Sequence, residues 1–167
     1  MARHFWIAVL AAFALAACGG GNDDPSGTGD DDSNFEACEL LPRSDATALF
    51  EAPAEPEPGP IVTDPDYLGD CRWAYETPDG LGNQLLVLNV WGDDAYYAPL
   101  SNAEPFDIGD QGSVAAGAGT GVDVSWTQGD ITASLGYFTI GSGVPDHLAK
   151  IEEVKALALL VSERLGP

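Results

Sequence analysis

Basic residues are scarce in this 167-residue chain: six Lys and Arg stand against 27 Asp and Glu, for a formal net charge of −21 at pH 7. Binding to phosphate backbones needs clustered cations that release counterions, whereas Arg43, Arg72, Lys150, Lys155 and Arg164 are scattered. Nucleic acid is thereby excluded as a partner. An anionic membrane surface would repel such a domain too, so any attachment to a membrane has to be covalent. Histidine is nearly missing, and a lone His147 at the start of a helix reads as a solvated surface residue rather than a general base. A long hydrophobic run is missing as well. Residues 5–17 are apolar but fall short of the roughly 20 that a spanning helix needs.

That short run has a different meaning. A positive start with Arg3, the apolar stretch and the small residues of Leu15-Ala16-Ala17-Cys18 read as a signal peptide over residues 1–17. The last four resemble the lipobox at which bacterial signal peptidase cleaves after a diacylglycerol joins the cysteine sulfur. Cys18 is then the lipid attachment site, and the protein an envelope lipoprotein facing the extracytoplasmic side of a plasma or outer membrane. Ordinary secretion with cleavage after Ala14-Leu15-Ala16 is the competing reading. Three cysteines in an exported chain leave an odd thiol unless one is consumed. With Cys18 acylated, Cys38 and Cys71 are left in an oxidising compartment where a disulfide persists. A metal site is the alternative, but two thiols without nearby histidines make a poor zinc site.

Residues 18–33 comprise the lipidated cysteine and GGGNDDPSGTGDDDS, which offers no apolar side chain to pack and reads as a disordered tether reaching on the order of 20 Å. Residues 34–167 then suit a single domain, with Trp73, Trp91, Trp126, Tyr75, Tyr137 and Phe138 available for its core. A short helix is expected near Ser44-Asp45, with Ala46, Leu49 and Phe50 on its packed face. Five prolines in residues 51–69 argue against regular structure and for a segment that is either mobile or part of a binding edge.

Residues 71–76 and 84–91 read as one β-hairpin around Pro78-Asp79-Gly80. Leu86, Leu88 and Val90 alternate with Leu85, Val87 and Trp91, which suggests a strand covered on both sides. A second hairpin joins Val122, Val124 and Trp126 to Ile131, Ala133, Leu135 and Tyr137 through Gln128-Gly129. From Asp146 to Leu165 an amphipathic helix closes the chain, capped by Asp146, stopped by Gly166 and striped by Leu148, Ile151, Val154, Ala158, Val161 and Leu165. The fold class is α+β: an antiparallel sheet of two hairpins packed by a short N-terminal and a longer C-terminal helix.

Cys38-Glu39-Leu40-Leu41 before a short helix, Cys71-Arg72-Trp73 opening a strand, Ile108-Gly109-Asp110 ahead of the second hairpin and the closing helix form a recognisable set. Together they resemble the family of small actinobacterial lipoproteins catalogued as domain of unknown function 3558, over most of residues 35–165. Pro42 stands where that family typically has a Thr or Ser cap, and Glu51 where a Gly usually ends the first helix. The resemblance implies a Cys38–Cys71 disulfide and a lipid-anchored envelope domain, and brings no activity with it. A more distant likeness, to the extracellular sensor domains of some actinobacterial kinases, implies ligand or partner binding rather than chemistry.

Catalytic motifs do not emerge. Ser142 lies before a helix, not after a strand as a nucleophile elbow requires. Gly117-Ala118-Gly119-Thr120-Gly121 lacks both the spacing and the lysine of a phosphate loop and reads as a loose connection. Asp93-Asp94 reads as solvated surface. Asp64-Pro65-Asp66 begins like a calcium loop, but Leu68 and Tyr75 occupy its fifth and twelfth positions where acidic ligands are needed. Weak cation binding remains open only for the acidic tether.

No catalytic residue, cofactor or metal site is expected. The leading expectation is a non-catalytic envelope lipoprotein presenting its domain to a small apolar ligand or to another envelope protein. A passive acidic surface lipoprotein is one alternative. A hydrolase whose carboxylates meet only in three dimensions is the other.

Overall fold

Apolar side chains at every second position place two long stretches, Gly82–Trp91 and Ile131–Gly141, side by side at the centre of an antiparallel sheet. The computed structural model describes residues 35–117 and 121–167; the expected signal peptide, Cys18, the tether and residues 118–120 of the glycine-rich connection lie outside them. Twelve elements follow in order. Two helices, α1 (Ala37–Leu40) and α2 (Arg43–Phe50), precede the strands β1 (Glu55–Pro56), β2 (Tyr67–Glu76) and β3 (Gly82–Trp91). A 3-10 turn, Asp94–Tyr96, leads to β4 (Glu104–Pro105), β5 (Gln111–Gly117), β6 (Gly121–Gln128) and β7 (Ile131–Gly141), and a second 3-10 turn, His147–Lys150, leads into α3 (Ile151–Leu165). The sheet has seven strands in the order β1-β2-β3-β7-β6-β5-β4, so the domain is α+β.

Register sorts the strand residues onto two faces. Cys71, Leu88, Leu135 and Val124 lie opposite one another across β2, β3, β7 and β6, as do Trp73, Leu86, Tyr137 and Val122. With Val90, Ala133 and Trp126 they form the core together with Leu41, Ala46, Leu49 and Phe50 from the N-terminal helices and Val154, Leu157, Ala158 and Val161 from α3. Full burial of each large aliphatic side chain contributes about 1.5 to 3 kcal/mol.

Polar clamps hold the helices to this face. The buried Gln84 accepts from the Tyr137 hydroxyl at 2.6 Å and donates to the Phe50 carbonyl at 3.3 Å, satisfying an orphan carbonyl at the end of α2. Burial pushes the Tyr137 hydroxyl up to about 12. Gln128 accepts from Ser162 Oγ at 2.6 Å and donates to the Ser162 carbonyl at 3.1 Å, fastening α3 to the β6–β7 end. Arg164 donates to the Leu40 carbonyl at 2.7 Å and pairs with Asp45 at 2.6 Å, joining α3 to α1 and α2.

The pair of short sequence motifs at the N-terminal side meets in space. A Cys38–Cys71 disulfide links α1 to β2 across 33 residues, and the Trp73 indole N–H donates to the Leu41 carbonyl at 2.8 Å. Gly109 has a φ of 56°, and a Cβ there would collide with the Thr127 carbonyl. Its neighbour Asp110 donates its N–H to that same carbonyl and accepts from the Gly129 N–H, both at 2.8 Å.

Several boundaries differ from expectation. Helix α2 starts at Arg43 behind Pro42, which supplies the extended entry but no side-chain cap, and α1 precedes it as a separate turn. Asp146 caps only the 3-10 turn, through Leu148 N–H at 2.9 Å, so α3 proper begins at Ile151 and Leu148 stays exposed rather than joining the stripe. The proline-rich segment is not wholly irregular: Glu55–Pro56 adds an edge strand to β2, a place where a missing N–H is tolerated. Glu51 ends α2 in the left-handed region at φ 55°, where its carboxylate meets Lys150 Nζ at 2.5 Å. That hydrogen bond holds the Glu51 carboxyl below its usual range.

Candidate functional site

The same register that gathers apolar residues on the helix side gathers small polar ones on the other. Asn89 of β3 lies opposite Ser134 of β7, which lies opposite Ser125 of β6, which lies opposite Ser113 of β5. One row over, Asp123 lies between Gly136 and Ala115; on the other side, Thr127 faces Thr132. Polar residues on an open sheet face ordinarily meet water. Here Ser113, Ser125, Thr127 and Thr132 are all buried.

A cleft of about 190 Å³ explains part of that burial. Its floor is Asp123, Ser125, Thr132 and Ser134; its walls are Trp91 at the end of β3 together with Tyr96, Ala98 and Leu100 from the segment between β3 and β4. That segment is anchored at its start. Asp93 caps the 3-10 turn by accepting from Ala95 N–H at 2.7 Å, and its carbonyl accepts from Thr132 Oγ1 at 2.9 Å.

The aromatic wall is fixed by its neighbours. Trp91 stacks on Tyr96 with centroids 6.1 Å apart and planes 10° apart, and Tyr67 meets Trp91 edge-on at 5.7 Å. The Tyr96 hydroxyl donates to Asp64, 2.8 Å from each carboxylate oxygen, so the proline-rich segment buttresses the rim of the cleft. That hydrogen bond, with some burial, pushes the Tyr96 hydroxyl up to about 12. Tyr67 is pushed up further, by burial first and by Asp70 second.

Asp123 is the charged group of the floor. Its Oδ1 accepts from Ser125 Oγ at 2.7 Å, and burial raises its pKa above the usual carboxylate range against that opposing hydrogen bond. Gly136 lies across from it, and a Cβ there would come within 2.7 Å of the Phe138 ring. The cations of the domain are engaged elsewhere. Arg43 pairs with Glu55, Arg72 with Asp70, Lys150 with Glu51 and Glu153, Lys155 with Glu152, and Arg164 with Asp45.

A second concavity, an open apolar groove of about 280 Å³, runs between α2 and α3 past Ala48, Leu49, Ala156, Leu157 and Leu160. It carries Asp45 and Glu153 at its edges and no converging polar groups. The cleft on the sheet face is therefore the place where shape, an aromatic wall and a desolvated charge coincide.

The residues singled out from sequence fall away from this cleft. Cys38 and Cys71 form the disulfide on the helix side. Cys18 lies outside the described residues. His147 is not solvated: its side chain is 12% exposed, held between the Gly117 carbonyl at 2.9 Å and Thr139 Oγ1 at 3.4 Å. Thr139 shares the strand parity of Tyr137, so His147 belongs to the helix side of the sheet. Asp64 and Asp66 receive the Tyr96 hydroxyl. Ser142 is exposed. What the sequence reading missed is Asp123. In Val122-Asp123-Val124-Ser125-Trp126 the alternation marks Asp123 and Ser125 as facing away from the core; only the covering by residues 94–100 turns that outward face into a cleft. No family model, no curated protein and no solved structure matches the chain.

Proposed function

We propose that the chain is a lipid-anchored envelope protein whose domain binds a small ligand in the cleft over Asp123, without catalysing a reaction. The anchor is assigned to Cys18, on the extracytoplasmic side, with the acidic tether between it and the domain. The Cys38–Cys71 disulfide supports an oxidising compartment. The resemblance to the actinobacterial lipoprotein family belongs with this reading, as does a scaffold of two long hairpins with a short N-terminal and a longer C-terminal helix packed on one face.

One observation carries the assignment: a half-buried carboxylate sits in a walled cleft with no basic partner among the described residues. Hydrolysis of a glycoside or ester would call for a second carboxylate or a nucleophile–base pair. Asp123 and Tyr96 are the titratable residues that line the cleft, and His147 serves the opposite face. A second reading, docking of an apolar ligand or an envelope protein, draws on the α2–α3 groove.

Native mass spectrometry of the full chain extracted in mild detergent tests the proposal. The expected spectrum shows diacylglyceryl mass on Cys18 and a small non-covalent adduct that Ala98→Trp, which fills the cleft from its exposed wall, prevents. An unacylated chain would overturn the anchor, and an adduct indifferent to Ala98→Trp would move binding away from the cleft.

A further inference from the structure

The charge bookkeeping of the cleft identifies its ligand chemistry. Asp123 is half-buried, and removing even part of a carboxylate's water without a counter-charge is costly, so native chains ordinarily place a cation or several N–H donors beside it. Asp123 receives one hydroxyl, from Ser125, while each Lys and Arg of the described domain is engaged with a different carboxylate. Ser125 spends its proton on Asp123, which leaves its oxygen lone pairs available as acceptors, and Ser134 and Thr132 place further hydroxyls on the same floor. An ammonium group has three N–H donors and no acceptor, the complement of this set.

The wall selects in the same direction. Trp91 and Tyr96 line the cleft, and indole and phenol rings cover alkyl carbon and attract a cation that reaches an open face. Leu100 and Ala98 add apolar surface opposite the floor. At about 190 Å³ the space suits a group of a few heavy atoms rather than a nucleotide or an oligosaccharide. The domain's net negative charge draws cations towards the surface and repels anions.

Resting on the reading of the cleft as a binding site, we propose that its ligand is a small alkyl amine, its ammonium on Asp123 and the floor hydroxyls and its carbon chain against Trp91 and Tyr96. A free amine and the side chain of an exposed lysine share that chemistry. The free amine matches the space better, because about 190 Å³ holds a group of a few heavy atoms without a backbone attached.

The test is a calorimetric titration of the full chain in detergent with n-butylamine, with its neutral counterpart n-butanol and with a lysine-containing tripeptide. Butylamine should bind at least tenfold tighter than butanol and tighter than the tripeptide, and Asp123→Asn should weaken it tenfold or more. Tighter binding of the tripeptide would assign the site to a lysine side chain and overturn the free amine. If Asp123→Asn does not fold, Ala98→Trp provides the corresponding loss with the carboxylate intact. Equal binding of amine and alcohol, or an amine affinity untouched by Asp123→Asn, overturns the amine assignment. A neutral ligand that co-purifies and is displaced by Ala98→Trp would overturn the amine and leave the binding site standing. No uptake of amine and no co-purifying ligand would overturn both.

Discussion

The two faces of the central sheet are made by alternate residues of the same strands, yet they are built to different rules. On the helix side, Leu86, Leu88, Val90, Val122, Val124, Trp126, Leu135 and Tyr137 are all fully buried. On the other side, β3 still carries the apolar Leu85, Val87 and Trp91, but the positions from Asn89 through β7 and β6 hold Ser134, Gly136, Asp123 and Ser125. The first face buries carbon and accounts for the fold. The second buries the hydroxyls of Ser125 and Thr132 and half-buries the Asp123 carboxylate, an arrangement that favours a site over stability in the proposed reading. A domain optimised only to fold would fill both faces with Val and Ile or leave the second to water.

The contrast orders the expected effects of substitution. Leu135→Ala, at the centre of the first face, should cost about 2 to 5 kcal/mol in denaturant unfolding, through lost burial and an unfilled cavity. Breaking the Cys38–Cys71 bond by Cys38→Ala with Cys71→Ala should cost about 3 to 4 kcal/mol, because a loop closed over 33 residues constrains the unfolded chain. Equality of the reduced and oxidised forms in the same assay would remove the disulfide from the account.

On the second face the sign reverses. Asp123 has a raised pKa when folded and about 3.8 when unfolded, so between those values the folded state binds more protons. The stability tied to its protonation is complete below about pH 3.8 and is lost as pH rises through the folded value. Asp123→Asn should therefore raise the melting temperature at pH 7, by about 2 to 4 °C for each kcal/mol relieved, and the gap to the native chain should narrow as pH falls through that window. Glu51, whose pKa is lowered by Lys150, contributes in the opposite sense, losing its stabilising effect as pH falls. Comparing native and Asp123→Asn chains at each pH isolates the one carboxylate. The smallest effect belongs to Ser134→Ala, within about 0.5 kcal/mol in unfolding, because its contact to Asn89 is a long 3.5 Å.

The first face was legible in the sequence, and the second only as an alternation. Leu86-Val87-Leu88 and Val122-Asp123-Val124 carry the period of a strand, so strand placement and the α+β class follow from local pattern. The shared-face arithmetic even separates Asp123 from Trp126. What no local pattern carries is the path of residues 94–100 back across the sheet, since that depends on Asp93, Thr132 and the Tyr96–Asp64 contact between distant segments. His147 misled for a related reason: a polar residue at a helix start reads as exposed until the Gly117 carbonyl, 30 residues earlier, is brought against it. Edge strands of two residues, β1 and β4, are too short to leave a period. Glu51 stands where the resemblance leads one to expect a Gly, and its left-handed φ fits that position, but its pairing with Lys150 across the fold carries no local signal.

In the proposed reading, Asp123 costs stability in the empty domain and returns it on binding. The direct measurement is the difference in melting temperature between the native chain and Asp123→Asn at pH 7, taken without and with saturating n-butylamine. Without amine the Asn variant should melt higher; with amine the order should invert, because only the native chain gains from the ligand. A variant that is less stable when empty, or a gap that the amine leaves unchanged, would contradict it.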